Sequence, residues 1–134
     1  MGVDELAAFE KAVVDQSPRG ALVAAASLSP DGAYGAALTL LPSANHVMED
    51  VFKRNGDRWD FHGGTTGVGT YWDSLGEDER GVLRFADEAP HGASAARVKY
   101  EGREYRVPVR HGHLYFVAWD TPSPGEEPSL VSFE

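Results

Sequence analysis

His62, Glu49 and Asp60 are the residues of this 134-residue chain whose types and spacing best suit acid–base chemistry. Asn55-Gly56 is a strong two-residue hairpin signal, with positive φ expected at both central residues. Taken as the turn, it sets Arg54 opposite Asp57, Phe52 opposite Trp59, Val51 opposite Asp60 and Glu49 opposite His62. A carboxylate across from an imidazole orients the ring and favours its charged form, as a general base requires. The same register puts Asp50 among Met48, Phe52, Trp59 and Phe61 on an apolar face. A carboxylate there must be paired, hydrogen-bonded or protonated, which makes Asp50 a further candidate acid. The plainer reading of His62 is a surface cross-strand pair worth about 0.2–1 kcal/mol. That of Asp50 is an edge position or a bulge that turns it outward. No serine nucleophile accompanies these groups: Gly92-Ala93-Ser94-Ala95 is only a fragment of Gly-x-Ser-x-Gly.

Metal and phosphate chemistry have weaker footing. His111-x-His113 has the spacing of two ligands on one strand face. The first cupin motif opens in the same way but continues to a Glu, which Leu114 to Asp120 do not supply. With His111 in a turn the two rings diverge, so polar turn residues are the expected role and no cofactor is expected. The chain has no Cys, which excludes thiolate zinc sites, disulfides and a Cys nucleophile together. His62-Gly63-Gly64-Thr65-Thr66-Gly67 resembles a phosphate loop but lacks the Lys of a Walker A loop. Its glycines read as a chain leaving one strand for another sheet, or as a backbone nest for a small anion. Glu77-Asp78-Glu79 lacks the alternation of a calcium loop and reads as solvated surface.

The elements that must position these residues follow from composition and period. Hydrophobic residues are 42% and charged residues 25%, an ordinary globular mix that fits a single domain spanning 1–134. Val3, Leu6, Phe9 and Val13 recur at helical spacing, with Asp4 and Glu5 in the first turn, and predict a helix over 3–16. Ser17-Pro18-Arg19-Gly20 stops it. A β-rich body over 21–133 follows. Its strands are expected at 21–28, 34–41, 46–54, 57–62, 82–87, 95–100, 103–109, 113–119 and 130–133, with residues 63–81 mostly loop and a helical turn near 74–80. The expected fold is mainly β: an antiparallel β-sandwich, immunoglobulin-like or a related meander or Greek key, of about eight strands with one N-terminal α-helix.

The net charge of −9 disfavours nucleic acid, whose phosphates need a basic surface, and anionic membranes. Acids interrupt the apolar residues of the N-terminus, so it does not read as a signal peptide, and no apolar run approaches a membrane span of about 20 residues. A cytoplasmic location is expected, and nine Arg against three Lys in an Ala- and Gly-rich chain point to a GC-rich bacterial gene.

The last hairpins carry the other functional hint. Turns at Glu101-Gly102 and His111-Gly112 put Val98 opposite Tyr105, Lys99 opposite Glu104, Val109 opposite Leu114 and Val107 opposite Phe116. Tyr105, Val107 and Val109 then face inward, while Arg97, Arg106, Tyr115, Val117 and Trp119 face outward. The run 114–119 is apolar on both faces, and such strands are covered on both sides. Arg106, Tyr115, Val117 and Trp119 are therefore the candidate interface, of the residue types that dominate binding hot spots. The expected function is a non-catalytic binding or regulatory module with a protein partner or self-association. A structural homodimer subunit and a small enzyme built around His62 are the alternatives.

Overall fold

The computed structural model describes residues 2–41, 46–76, 80–122 and 126–134. One helix, α1 (Gly2–Asp15), precedes ten strands: β1 (Leu22–Leu28), β2 (Tyr34–Leu41), β3 (His46–Asn55), β4 (Arg58–Thr66), β5 (Gly69–Ser74), β6 (Gly81–Glu88), β7 (Ala95–Tyr100), β8 (Arg103–Arg110), β9 (His113–Trp119) and β10 (Ser129–Phe133). The protein is thus mainly β with two antiparallel sheets, and the described residues form ten strands rather than about eight. Two compact units divide the chain at residues 67 and 68. Among the described residues no helix is long and apolar enough to cross a membrane.

The first unit is α1 on a four-stranded meander ordered β1-β2-β3-β4. Its helix buries the stripe expected of it, with Phe9 at 0% and Val13 at 1% exposure. Phe9 meets Phe52 edge-on at 5.7 Å and Trp59 at 4.7 Å between ring centroids. Gly35 lies beneath that ring, where a Cβ would come within 2.5 Å of it. At the helix end the Ser17 hydroxyl donates to the Val13 carbonyl at 2.6 Å, and Gln16 Nε2 donates to the Trp59 carbonyl at 2.7 Å. The β1–β2 turn closes with Gly32 N donating to Ser29 O at 2.9 Å and with Asp31 Oδ1 accepting from the Ser29 hydroxyl at 2.7 Å.

Two features correct the expected β3–β4 register. The tight turn is centred on Gly56-Asp57, with Asn55 opposite Arg58, Arg54 opposite Trp59 and Phe52 opposite Phe61. Gly56, at φ +63°, supplies the positive φ, as the first central glycine of a type II′ turn does. Moving the turn by one residue changes each pair by two positions, so Phe52, Trp59 and Phe61 still share a face. The register then shifts between Val51 and Phe52: Val51 faces Gly63 and Phe52 faces Phe61, which leaves His62 as the extra residue of a bulge. Nothing lies within 4 Å of a Cβ built at Gly56, so its constraint is purely conformational. Gly56→Val should cost roughly 1–2 kcal/mol in urea unfolding, because a β-branched residue is forced into the left-handed region. A neutral result would contradict this turn.

The second unit is a six-stranded sheet ordered β10-β7-β8-β9-β6-β5. β7, β8 and β9 are consecutive hairpins and β10 returns beside β7, the spatial order of a Greek key. Here the expected pairs nearest the turns hold, Val98 with Tyr105, Lys99 with Glu104 and Val109 with Leu114, while the β8–β9 ladder is limited to Val109–Leu114 and Arg110–His113 and does not reach the expected Val107–Phe116 pair. Both turns have positive φ at both central residues, Glu101 (50°) with Gly102 (76°) and His111 (52°) with Gly112 (75°). Leu83, Ala96, Val98, Tyr100, Val107, Leu114 and Phe116 form its core.

Strand β5 and the extension of β4 to Thr66 replace most of the loop expected over 63–81; residues 77–79, Glu77-Asp78-Glu79, lie outside the described residues. Trp72 of β5 lays its indole where a Cβ on Gly81 would stand, and its Nε1 donates to the Thr121 carbonyl at 3.2 Å. That close approach ties β5 and the start of β6 to the chain leaving β9.

Candidate functional site

The shifted turn and the bulge together separate the residues that the expected register set face to face: the turn alone moves Asp60 from Val51 to Lys53, and both contribute to the distance between Glu49 and His62. Glu49 stands opposite Thr65 and is fully buried, whereas His62 is exposed and meets the Tyr34 ring edge-on at 5.7 Å. Asp60 stands opposite Lys53 rather than Val51, and its Oδ2 accepts from Asn55 Nδ2 at 2.6 Å. Asp50 faces Gly64 rather than Phe61, and its carboxylate occupies the space that a Cβ on Gly64 would need. The Gly-Gly-Thr-Thr segment is therefore strand, with Gly64 making room for Asp50, and not a phosphate loop.

His111 is an exposed turn residue, while His113 begins β9 opposite Glu88 and Arg110. His113 Nδ1 lies 3.0 Å from the His111 carbonyl, so one ring nitrogen is spent on the turn itself. Among the described residues, no three His, Asp or Glu side chains gather as a metal site requires.

The outward strip divides. Tyr115 is buried at 6% exposure, while Val117 and Trp119 are half-buried. These three stand opposite Ala86, Arg84 and Val82, whose exposures are 1%, 0% and 0%. An exposed apolar strip is therefore not formed at Tyr115. Arg106 is exposed and faces Arg97; both guanidiniums reach the Glu134 carboxylate, at 3.4 and 3.3 Å, which relieves their repulsion.

Val117 and Trp119 do enter a site, at the end of β9 where the chain turns away. There a cleft of about 410 Å³ is lined by Tyr100, Tyr105 and Phe116 and by the chain from Val117 to Pro122, with the acids Glu101 and Asp120 among its lining. The type I′ turn at Glu101-Gly102 brings Tyr100 and Tyr105 onto the core face of the β7–β8 hairpin. Phe116 of β9 packs between them, 5.6 Å from Tyr100 and 5.1 Å from Tyr105. Tyr100 and Phe116 are buried, but Tyr105 is 37% exposed and presents its ring to solvent.

The polar side of the cleft is fixed by the backbone. Asp120 takes a positive φ of 58° and its carboxylate pairs with Arg80 Nε. Thr121 N donates to the Gly81 carbonyl at 3.0 Å. Glu101 N donates to Glu126 Oε2 at 2.8 Å, which brings a further carboxylate to the same end. Burial, then hydrogen bonding to Glu101, then the charges of Glu101, Glu126 and the neighbouring Tyr105 push the Tyr100 phenol up to about 12. In spectrophotometric titration Tyr100 should release its proton only near pH 12. The raised folded-state value makes its contribution to stability complete below pH 10 and lost between pH 10 and 12. Glu101→Gln should bring this titration closer to 10, while burial keeps it above.

Sequence reasoning missed Tyr100, Glu101 and Asp120. Tyr100 precedes the Glu101-Gly102 turn and Glu101 opens it, and a tyrosine beside an acid at a hairpin end was the signal available. Arg84 was also missed. It is fully buried, donates from Nη2 to Asp73 Oδ2 at 2.6 Å and from Nη1 to the Val82 carbonyl at 3.0 Å. Its signal is an arginine inside the apolar run Val82-Leu83-Arg84-Phe85-Ala86.

Comparison with protein-family models, with curated proteins and with solved structures found no match.

Proposed function

We propose that the protein is a non-catalytic binding module that recognises a partner protein through the cleft at the end of β9. The supporting observation is the cleft itself: an exposed Tyr105 ring tilted against a buried Phe116, with the chain from Val117 to Pro122 along its side. Large aromatics with one wet face bury much area at small entropic cost, and they dominate protein interfaces. The described lining carries carboxylates and phenols but no His, Lys or Ser, so it offers recognition groups more readily than a nucleophile and its base.

Selection of short peptides from a random library against the immobilised full chain tests this reading. Selected peptides should bind Tyr105→Ala at least tenfold more weakly, a loss of about 1.4 kcal/mol. Leu22→Ala, an exposed position on β1, should leave affinity unchanged. Equal affinity for wild type and Tyr105→Ala would contradict the assignment.

A further inference from the structure

We infer that the partner presents an arginine side chain to this cleft, carried on a basic segment. The inference rests on the binding reading above and names the chemistry of its partner. The walls come first. Aromatic rings offer negative π-faces, and a guanidinium stacks on them more readily than an ammonium because it is planar and weakly hydrated. The same chain already holds one such pair, Arg54 over Trp59 at 5.7 Å.

Charge then fixes the sign of the occupant. The described lining holds Glu101 and Asp120 and no Lys or Arg, and Glu126 bonds to the Glu101 amide beside it. Asp120 is shared with Arg80, which leaves Glu101 as the lining carboxylate for an incoming cation, with Glu126 held beside it on the Glu101 amide but outside the lining. Arg103 stands opposite Tyr100 in register but is exposed and outside the lining. A carboxylate over an aromatic wall matches both the edge and the face of a guanidinium.

Size and steering agree. A cleft of about 410 Å³ lies near the lower end of the range for small-ligand sites, which suits one long side chain. The net charge of −9 attracts a basic segment from a distance and repels an acidic one. A membrane or nucleic acid, each anionic, is disfavoured by the same field.

The test is an NMR titration of the ¹⁵N-labelled full chain with four capped tripeptides, acetyl-Gly-X-Gly-amide, where X is Arg, Lys, Gln or Glu, and with guanidinium chloride. The Arg peptide should shift the amides of residues 100–105 and 116–122 and bind at least tenfold more tightly than the Gln peptide. Its affinity should weaken as salt rises. The double variant Glu101→Gln/Glu126→Gln should bind the Arg peptide at least fivefold more weakly at an unchanged melting temperature, both sites being exposed. Equal binding of the Gln or Glu peptide in the cleft would overturn the inference while leaving the binding reading intact. Guanidinium chloride binding as tightly as the Arg peptide would overturn the assignment to a partner's side chain. The absence of shifts in the cleft, with library-selected peptides still sensitive to Tyr105→Ala, would likewise overturn the inference alone.

Discussion

Phe9→Ala should destabilise the protein by about 3–5 kcal/mol, a large part of the 5–15 kcal/mol typical of a folded domain. The ring has no exposed surface and contacts both Phe52 and Trp59, so truncation removes its transfer free energy and opens a cavity between helix and sheet. The cavity cannot close easily, because its floor is Gly35 and backbone. Gly35→Ala supplies the complement. Its Cβ would meet three ring atoms of Phe9 at 2.5, 2.6 and 2.8 Å, so overpacking should cost about 1–3 kcal/mol. In the Phe9→Ala background that cost should vanish. Urea unfolding of the two single variants and the double variant measures the coupling directly. Additive losses would mean that the helix does not sit on Gly35.

Arg84→Ala should cost about 3–5 kcal/mol, through a different mechanism. A guanidinium buried to 0% exposure is stable there only because its donors are satisfied, and Asp73 and the Val82 carbonyl take two of them. Alanine leaves a cavity the size of the longest side chain and strips Asp73 of its cation. Arg84→Met keeps most of the volume and removes the buried charge. It should recover more than half of the loss, because Asp73 is 37% exposed at its side chain and can turn to water. A Met variant as unstable as the Ala variant would show that the ion pair, and not packing, holds this strand. Asp73→Asn separates the same terms from the other side. It should cost less than Arg84→Ala, since the amide oxygen can still accept from Nη2.

The parts of this fold that were legible are those set by local rules. The hairpins around Glu101-Gly102 and His111-Gly112 came out in register because each turn ends in a glycine after a residue that accepts the left-handed conformation. Helix α1 was legible from the helical spacing of Leu6, Phe9 and Val13, the acids of its first turn and the Ser17-Pro18-Arg19-Gly20 stop. The β3–β4 turn lies one residue beyond the Asn55-Gly56 signal, because Gly56 serves as the first central residue of a Gly56-Asp57 turn and not as the second of an Asn-Gly one. The bulge at His62 was hidden for another reason: Gly63 and Gly64 carry no side chains to reveal which face they take. Strand β5 was missed because glycines surround it, and Gly81 is a glycine on account of a tryptophan nine residues earlier. No spacing rule reports that contact.

The candidate site divides along the same line. The expected register groups His62, Glu49 and Asp60, and a turn moved by one residue together with one bulge dissolves that grouping. The cleft draws on residues 100–105 and 116–122, which a strand order places together. Val117 and Trp119 were picked out because β9 is apolar on both faces. Their role at the end of the strand depends on Asp120 turning the chain and on Arg80 and Gly81 holding it there.

The most direct test of the central claim is an amide chemical-shift map of the full chain saturated with a library-selected peptide. The account predicts that the largest shifts fall within residues 100–105 and 116–122, with residues 49–62 unmoved. Largest shifts around His62, or on the exposed β10 strand, would contradict it.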